Sequence, residues 1–510
     1  MQAAVDAARS GDSILLSPGV FAGGVTIDKS VSVLGAGAGK TTITGGGPVV
    51  TIGRYNAVRE PTVSIGGVTI TGGVTHSSSL SADVTGKPDV IALGGGVEIP
   101  PSAGFGNGAT VEIRDTVITG NRVAPRAFVP SRTGCECPFA LAGGGGVDNW
   151  GLLTLANTVV SDNKSGGPLA SDEDAAGIYS PQGSLTLLNS TITGNRAAAV
   201  RPNGRFAEGG GIIVATRAFF TNAQRPVASF TMTGSRVTDN AAYLSAGFPS
   251  QVQSQAQAGG LLISGDDDCS QPDSGCVHAT VIDSHVDGND VTTQNATGTA
   301  VAFSGGVNND GTLTLRDSSI SNNHVTALAG PGSAAGASAD SGGLGMGGYA
   351  AISRTLISQN SLTATSVDGD SSATFGGMSA GNPSHPVTVT DSAIIQNPLT
   401  ASTNRGKASA QGAGVGHLDG PLIITRTLIG GNSGAAHGAT TLAQGGGVAN
   451  LAASSAALTL DHSALVGNAL TSTGAGTPQG GGLYTAVPVT LINSVIDGNR
   501  PDQCFGPCPS

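Results

Sequence analysis

The chain has 510 residues, of which 81 are glycine and 25 proline, and its formal net charge is −11. Average glycine usage is roughly 7%, and each helical glycine costs about 1 kcal/mol relative to alanine, so this excess argues against a helical protein. Glycine does not recur at every third position, which excludes collagen. The 34 Asp and Glu outnumber the 23 Lys and Arg, and that balance argues against nucleic acid as a partner, because a phosphate backbone demands clustered cations. Hydrophobic residues make up 38% and come in short Val/Ile/Leu runs, unlike a disordered chain. The longest apolar runs are too short to predict a transmembrane helix.

Residues 1–12 lack the basic start and apolar core of a secretory leader. They predict a short amphipathic capping helix with Val5 and Ala8 on one face. Beyond it a single phrase recurs. It reads VEIRDTVITGN at 111–121, LTLANTVVSDN at 153–163, LTLLNSTITGN at 185–195, LTLRDSSISNN at 313–323, VTVTDSAIIQN at 387–397, LTLDHSALVGN at 458–468 and VTLINSVIDGN at 489–499. Weaker copies end at Asn240, Asn289, Asn360 and Asn432, and the spacings between final asparagines run from 31 to 49 residues. A second phrase alternates with it, a glycine run followed by an apolar residue, as in GGGV at 94–97 and GGGL at 480–483.

Each repeat therefore predicts three short strands. The first follows the glycines, the second is apolar-Thr-apolar, and the third ends in x-x-Asn. Only turns separate them, so the helical crossovers of an ordinary parallel sheet are missing. Such strands can coil, each pairing with its equivalent in the next repeat. The prediction is all-β: a single-stranded parallel β-helix of about 12–14 coils. It is one domain over 1–510, with coils across 13–500 and a C-terminal tail at 501–510.

Alternation in the second strand places Leu153, Leu155, Leu185, Leu187, Leu313 and Leu315 inside. Thr154, Thr186, Thr231, Thr280, Thr314, Thr388, Thr459 and Thr490 face out as a solvated β surface. Asp115, Asn157, Asn189, Asp283, Asp317, Asp391 and Asn493 suit a tight bend, since their side chains tolerate left-handed geometry. Segments 122–142, 241–258, 324–341 and 361–374 are rich in Ala, Ser, Gly and Pro and read as loops walling a groove along the first strand. Six cysteines allow local pairing of Cys269 with Cys276 and Cys504 with Cys508, while Cys135 and Cys137 are too close for an easy bridge. Loop cysteines of this kind fit an oxidising compartment.

These alternating phrases resemble the repeats of the right-handed parallel β-helix, pectin-lyase-like superfamily. They also resemble polymorphic bacterial surface proteins. Residues 2–45 are similar to the capping helix and first coils of such proteins, and GNRPDQCFGPC at 498–508 is similar to the close of secreted actinobacterial β-helix repeat proteins. The resemblance implies export to the medium or the cell surface. It also implies that a lyase of this fold would hold calcium on first-strand carboxylates and use an arginine or lysine as base.

The outward position of the first strand reads Glu98, Asp148, Tyr179, Ile213, Leu262, Asn308, Gly345, Ser379, Gly416, Ala449 and Tyr484 in successive coils. Glu98 and Asp148 are its only acids, and Arg126 and Arg201 lie in flanking segments, so these four are the catalytic candidates. Asp148, Asp172 and Asp174 are the candidate ligands for Ca2+. Asn149, Trp150, Tyr179, Asn308, Asn309 and Tyr484 are candidates for holding sugar hydroxyls and stacking on sugar rings. With so few acids and bases on this face, the sequence points to a monomeric, secreted or cell-surface protein that binds an extended polysaccharide or surface glycan. A polysaccharide lyase or glycoside hydrolase, and a purely structural spike, are the alternatives.

Overall fold

The computed structural model describes residues 1–103, 107–129, 139–167, 169–170, 172–200, 206–216, 228–246, 254–265, 276–331, 336–381, 386–452 and 457–508. They form two compact units, Met1–Tyr243 with Gly260–Ala279, and Leu244–Gly259 with Thr280–Ser510. Both are parallel β-helices. The described residues supply 14 strands of each of the three expected kinds.

A representative coil of the first unit has strands Val147–Asn149, Leu152–Ala156 and Val159–Ser161. They pair in parallel register with the next coil, Val147 opposite Ile178, Leu153 opposite Leu185 and Val160 opposite Ile192. The second unit repeats the pattern, with Val307–Asn309, Thr312–Arg316 and Ser319–Ser321 opposite Leu344, Tyr349 and Leu356. The leucines assigned to the interior are buried. The outward threonines, Thr154 and Thr186 among them, keep solvent contact. All seven named Asp and Asn bend residues adopt positive φ, between 46° and 51° for Asn493, Asn157, Asn189, Asp283, Asp115 and Asp391 and 53° for Asp317. Arg354, Arg426 and His462 take the same conformation at the equivalent bend.

The x-x-Asn residues form a buried ladder in each unit. In the first, Asn121 donates from its main-chain N and its Nδ2 to Oδ1 of Asn163, each at 3.0 Å. Asn163 repeats this with Asn195. Nδ2 of Asn163 also donates to the carbonyl of Ile118, one coil back. In the second unit the same bonds link Asn289, Asn323, Asn360, Asn397, Asn432, Asn468 and Asn499 in order. Gln503 closes that ladder by accepting from Asn499. Each amide thus finds partners where water cannot reach, which a buried polar group requires. A parallel row of Ser and Thr hydroxyls follows each bend, as where Ser392 Oγ accepts from the N–H of Thr355 at 3.1 Å.

Among the described residues, the segments read as loops are largely strand. Ser361–Ser366 runs out from the third strand and Ser371–Thr374 returns to the next glycine run. Ala241–Ala246 with Ser254–Gln257, and His324–Ala329 with Ala337–Asp340, do the same. Outgoing strands stack on outgoing ones and returning strands on returning ones, all parallel. The inward positions hold small or slim side chains: Leu362, Ala364 and Ser366 on the way out, Ser371 and Ala373 on the way back, all buried. Two backbone layers can approach closely only over such residues. In the segment 122–142 the described residues likewise include strands Arg122–Val123 and Leu141–Gly143.

The termini also differ from the sequence reading. The first helix spans Gln2–Ala7, with Val5 buried, and a second helix, Leu80–Thr85, follows the third coil. Cys504–Phe505 adds a last first-strand rung on Leu483–Tyr484, and Cys504 bonds Cys508. Cys276 is disulfide-bonded, while Cys269, Cys135 and Cys137 lie outside the described residues.

Candidate functional site

The register of the first strand brings Glu98, Asp148 and Tyr179 together on adjacent coils of the first unit. Instead of facing an open groove, they are sealed. Glu98 is 6% exposed, Asp148 1% and Tyr179 0%. The cause is the fourth sheet, whose returning strands end directly over this face. A side chain at Gly143, the last residue of such a strand, would lie 2.9 Å from the Tyr179 ring. Burial pushes the Glu98 carboxyl up to about 7, opposed by a hydrogen bond from Thr51. Asp148 is raised well above the ordinary carboxylate range by burial and then by the charge of Glu98, against the indole N–H of Trp150, which donates to its Oδ2 at 3.1 Å. This is a covered carboxyl pair, both members held above the ordinary carboxylate range.

The other candidates separate. Trp150 is buried and Tyr179 has no solvent face, so neither is a platform for a sugar ring. Asn149 and Asn309 are buried because they close the turn into the second strand. Asn149 donates to Ser180 Oγ at 2.9 Å and accepts from the N–H of Gly151 at 3.0 Å. Asn309 donates to the carbonyls of Gly311 and Tyr349. Arg126 is exposed, and Arg201 lies outside the described residues. Asp172 is half-buried and Asp174 buried, two residues apart and so on the same side of their strand. Among the described residues no three His, Cys, Asp or Glu side chains gather as a metal site, so Asp148, Asp172 and Asp174 do not assemble the proposed calcium ligands. Tyr484 is half-buried, stacked on Phe505 at 6.0 Å between centroids.

Asn308, of the predicted set, lines an open groove. In the second unit the corner between returning strands and first strands holds a cavity of about 300 Å³. Its floor is Asn308, Gly345 and Ser379, and its wall is Gln257, Phe303 and Asp340. The wall residues are consecutive rungs, since Gln257 pairs with Phe303 and Phe303 with Asp340. Glycine at 345 leaves this space open, because a side chain there would meet Ser304 Oγ at 2.4 Å and Asn308 Oδ1 at 2.9 Å and displace them. That space is what lets Ser304 donate to Asn308 Oδ1 at 3.2 Å.

Asp340 accepts from Thr374 at 2.8 Å and from Ser341, whose hydroxyl also meets Ser379 at 2.9 Å. Burial holds the Asp340 carboxyl above its usual range, against those two hydrogen bonds. The half-exposed Phe303 ring beside Asn308 and Asp340 gives one apolar face flanked by fixed polar groups. Sequence reasoning missed Phe303, Asp340 and Gln257. Their signal was position: each stands two residues before a glycine run.

No family model matches this sequence, and no curated protein matches it. Among solved structures, a PL6 family alginate lyase, AlyGC, is similar over 96% of this chain and 96% of its own, at 10% identity and a TM-score of 0.16. A mutant of the same lyase covers 96% of this chain and 98% of its own, at 10% identity and a TM-score of 0.15. At these values the likeness carries no argument about chemistry.

Proposed function

We propose that this protein binds an extended polysaccharide in the groove of its second unit. The observation that carries this reading is the Phe303 ring set beside Asn308 and Asp340 in the roughly 300 Å³ groove. A pyranose ring has an apolar C–H face and a rim of hydroxyls. An aromatic face packs against the first, and fixed carboxamide and carboxyl groups hold the second. Successive rungs are about 4.8 Å apart, so a chain running along the groove meets a new wall and floor residue at each rung. The reading includes a location outside the cytoplasm, supported by the Cys504–Cys508 disulfide.

Binding is favoured over cleavage because Glu98 and Asp148, the paired carboxyls of the first-strand face among the described residues, are covered. A glycan array probed with the full chain and with Phe303→Ala tests the proposal. Retained signal for a polysaccharide class with the wild type, lost in the variant, supports it. An array blank for both proteins refutes it.

A further inference from the structure

The first unit carries a second cavity, remote in sequence from the groove residues and of opposite chemistry. Arg122, Lys164 and Arg196 each follow a ladder asparagine. Parallel pairing therefore stacks them on three adjacent coils, Arg122 opposite Lys164 and Lys164 opposite Arg196. All three are exposed and line one cavity of about 570 Å³. In a chain with net charge −11, a three-cation column is a local reversal. Among the described residues, none of the three is in an ion pair.

Two of the cations are held in place by uncharged groups. Arg122 donates from Nε and a terminal nitrogen to the Gly166 carbonyl at 3.1 and 3.0 Å. The Arg196 guanidinium lies over the Tyr243 ring, 4.9 Å from its centre. Lys164 stands between them. The floor is Gly166 and Gly167, and position 166 tolerates no side chain: φ is +129°, and a Cβ would lie 2.5 Å from the Ala198 carbonyl and 2.8 Å from Glu173 Oε2. The cavity thus offers three cations at its mouth and bare backbone at its base.

We propose that this cavity binds a phosphate group. A carboxylate carries one charge and two oxygens, so one of the three cationic heads meets no oxygen. A phosphate monoester carries close to two charges and three outer oxygens, one for each cationic head, in charge-assisted hydrogen bonds. The cavity is larger than a lone phosphate, so the source is either inorganic phosphate or a phosphate ester on a sugar.

Titration calorimetry on the full chain separates the cases, using inorganic phosphate, glucose 6-phosphate, glucose and a uronate trisaccharide as probes. Saturable phosphate-dependent binding is expected. It should weaken tenfold or more in both Lys164→Ala and Arg196→Ala, and stay unchanged in Arg405→Ala, an exposed arginine of the second unit. Tighter binding of the ester assigns a phosphorylated glycan, equal binding assigns the free anion, and both support the site. Three outcomes overturn it: no saturable phosphate binding at millimolar concentration, binding indifferent to Lys164→Ala and Arg196→Ala, or tighter binding of the uronate. Circular dichroism of the two variants, whose altered side chains are exposed, confirms that a lost signal is not lost folding.

Discussion

Glu98 and Asp148 occupy the same position on adjacent coils, and both are buried. An acid whose native pKa is raised binds more protons folded than unfolded, so the fold loses stability as pH rises from the unfolded value towards the folded one. For Glu98 that window runs from 4.5 to about 7, worth on the order of 3 kcal/mol when fully traversed. The wild type should therefore melt at a lower temperature at pH 8 than at pH 5. Glu98→Gln and Asp148→Asn should each flatten that slope, measured by thermal unfolding across pH. An unchanged slope in both variants would mean that the pair is ionised in the native state.

The asparagine ladder predicts a steep local penalty. Asn360→Ala removes four side-chain hydrogen bonds, two accepted from Asn323 and two donated, to Asn397 and the Ile320 carbonyl. Buried donors left without partners cost about 1–3 kcal/mol each in the worst case, so a loss of about 3 kcal/mol or more is expected in urea unfolding. Gln503→Ala acts at the end of the ladder, where Gln503 itself is exposed, and about 1 kcal/mol is expected there.

The two-layer reading of the fourth sheet predicts opposite tolerances at neighbouring positions. Ala339 faces the closed interior and Ser338 the outside. Ala339→Leu should cost about 1–3 kcal/mol by overpacking, and Ser338→Leu should stay within about 0.5 kcal/mol. Equal effects at the two positions in chemical unfolding would contradict the layer.

Glu173 stands where the neighbouring coils carry alanine, opposite Ala142 and Ala207 in register. Its carboxyl is raised well above the usual range, first by burial and then by the charge of Asp172. Glu173→Gln keeps the shape and removes the titration. The variant should match the wild type at pH 4 and exceed it in melting temperature at pH 8. A variant less stable than wild type at pH 8 would show that Glu173 is ionised and paired in the fold.

Much of the coil was legible because its determinants are local. Each x-x-Asn marks a ladder rung, and Asp or Asn at the bend marks a left-handed residue, as at Asp115 and Asn493. The fourth sheet was not legible as sheet because its inward residues are small. In SLTATS at 361–366 the alternation is present, but Ala364 and Ser366 lack the bulk that signals a core strand, and alanine is depleted in ordinary strands. That omission hid how thoroughly the first-strand face of the first unit is covered. Alternation correctly put Glu98, Asp148 and Tyr179 on the outer side of the first strand, yet a second layer covers that side in the first unit. Trp150 and Tyr179 looked like stacking platforms for the same reason. Glu173 was passed over as one of three acids in a row, where the register turns it alone inward. Phe303 and Asp340 became visible only when pairing aligned the residues that precede each glycine run.

In the proposed function, the groove lined by Phe303, Asn308 and Asp340 holds a polysaccharide chain along successive rungs. Its most direct test is calorimetric titration of the full chain with oligosaccharides of increasing length from the class retained on the array. Affinity is expected to rise with length up to several sugars and to fall about tenfold or more in Phe303→Ala. Affinity independent of length and unchanged in Phe303→Ala would contradict it.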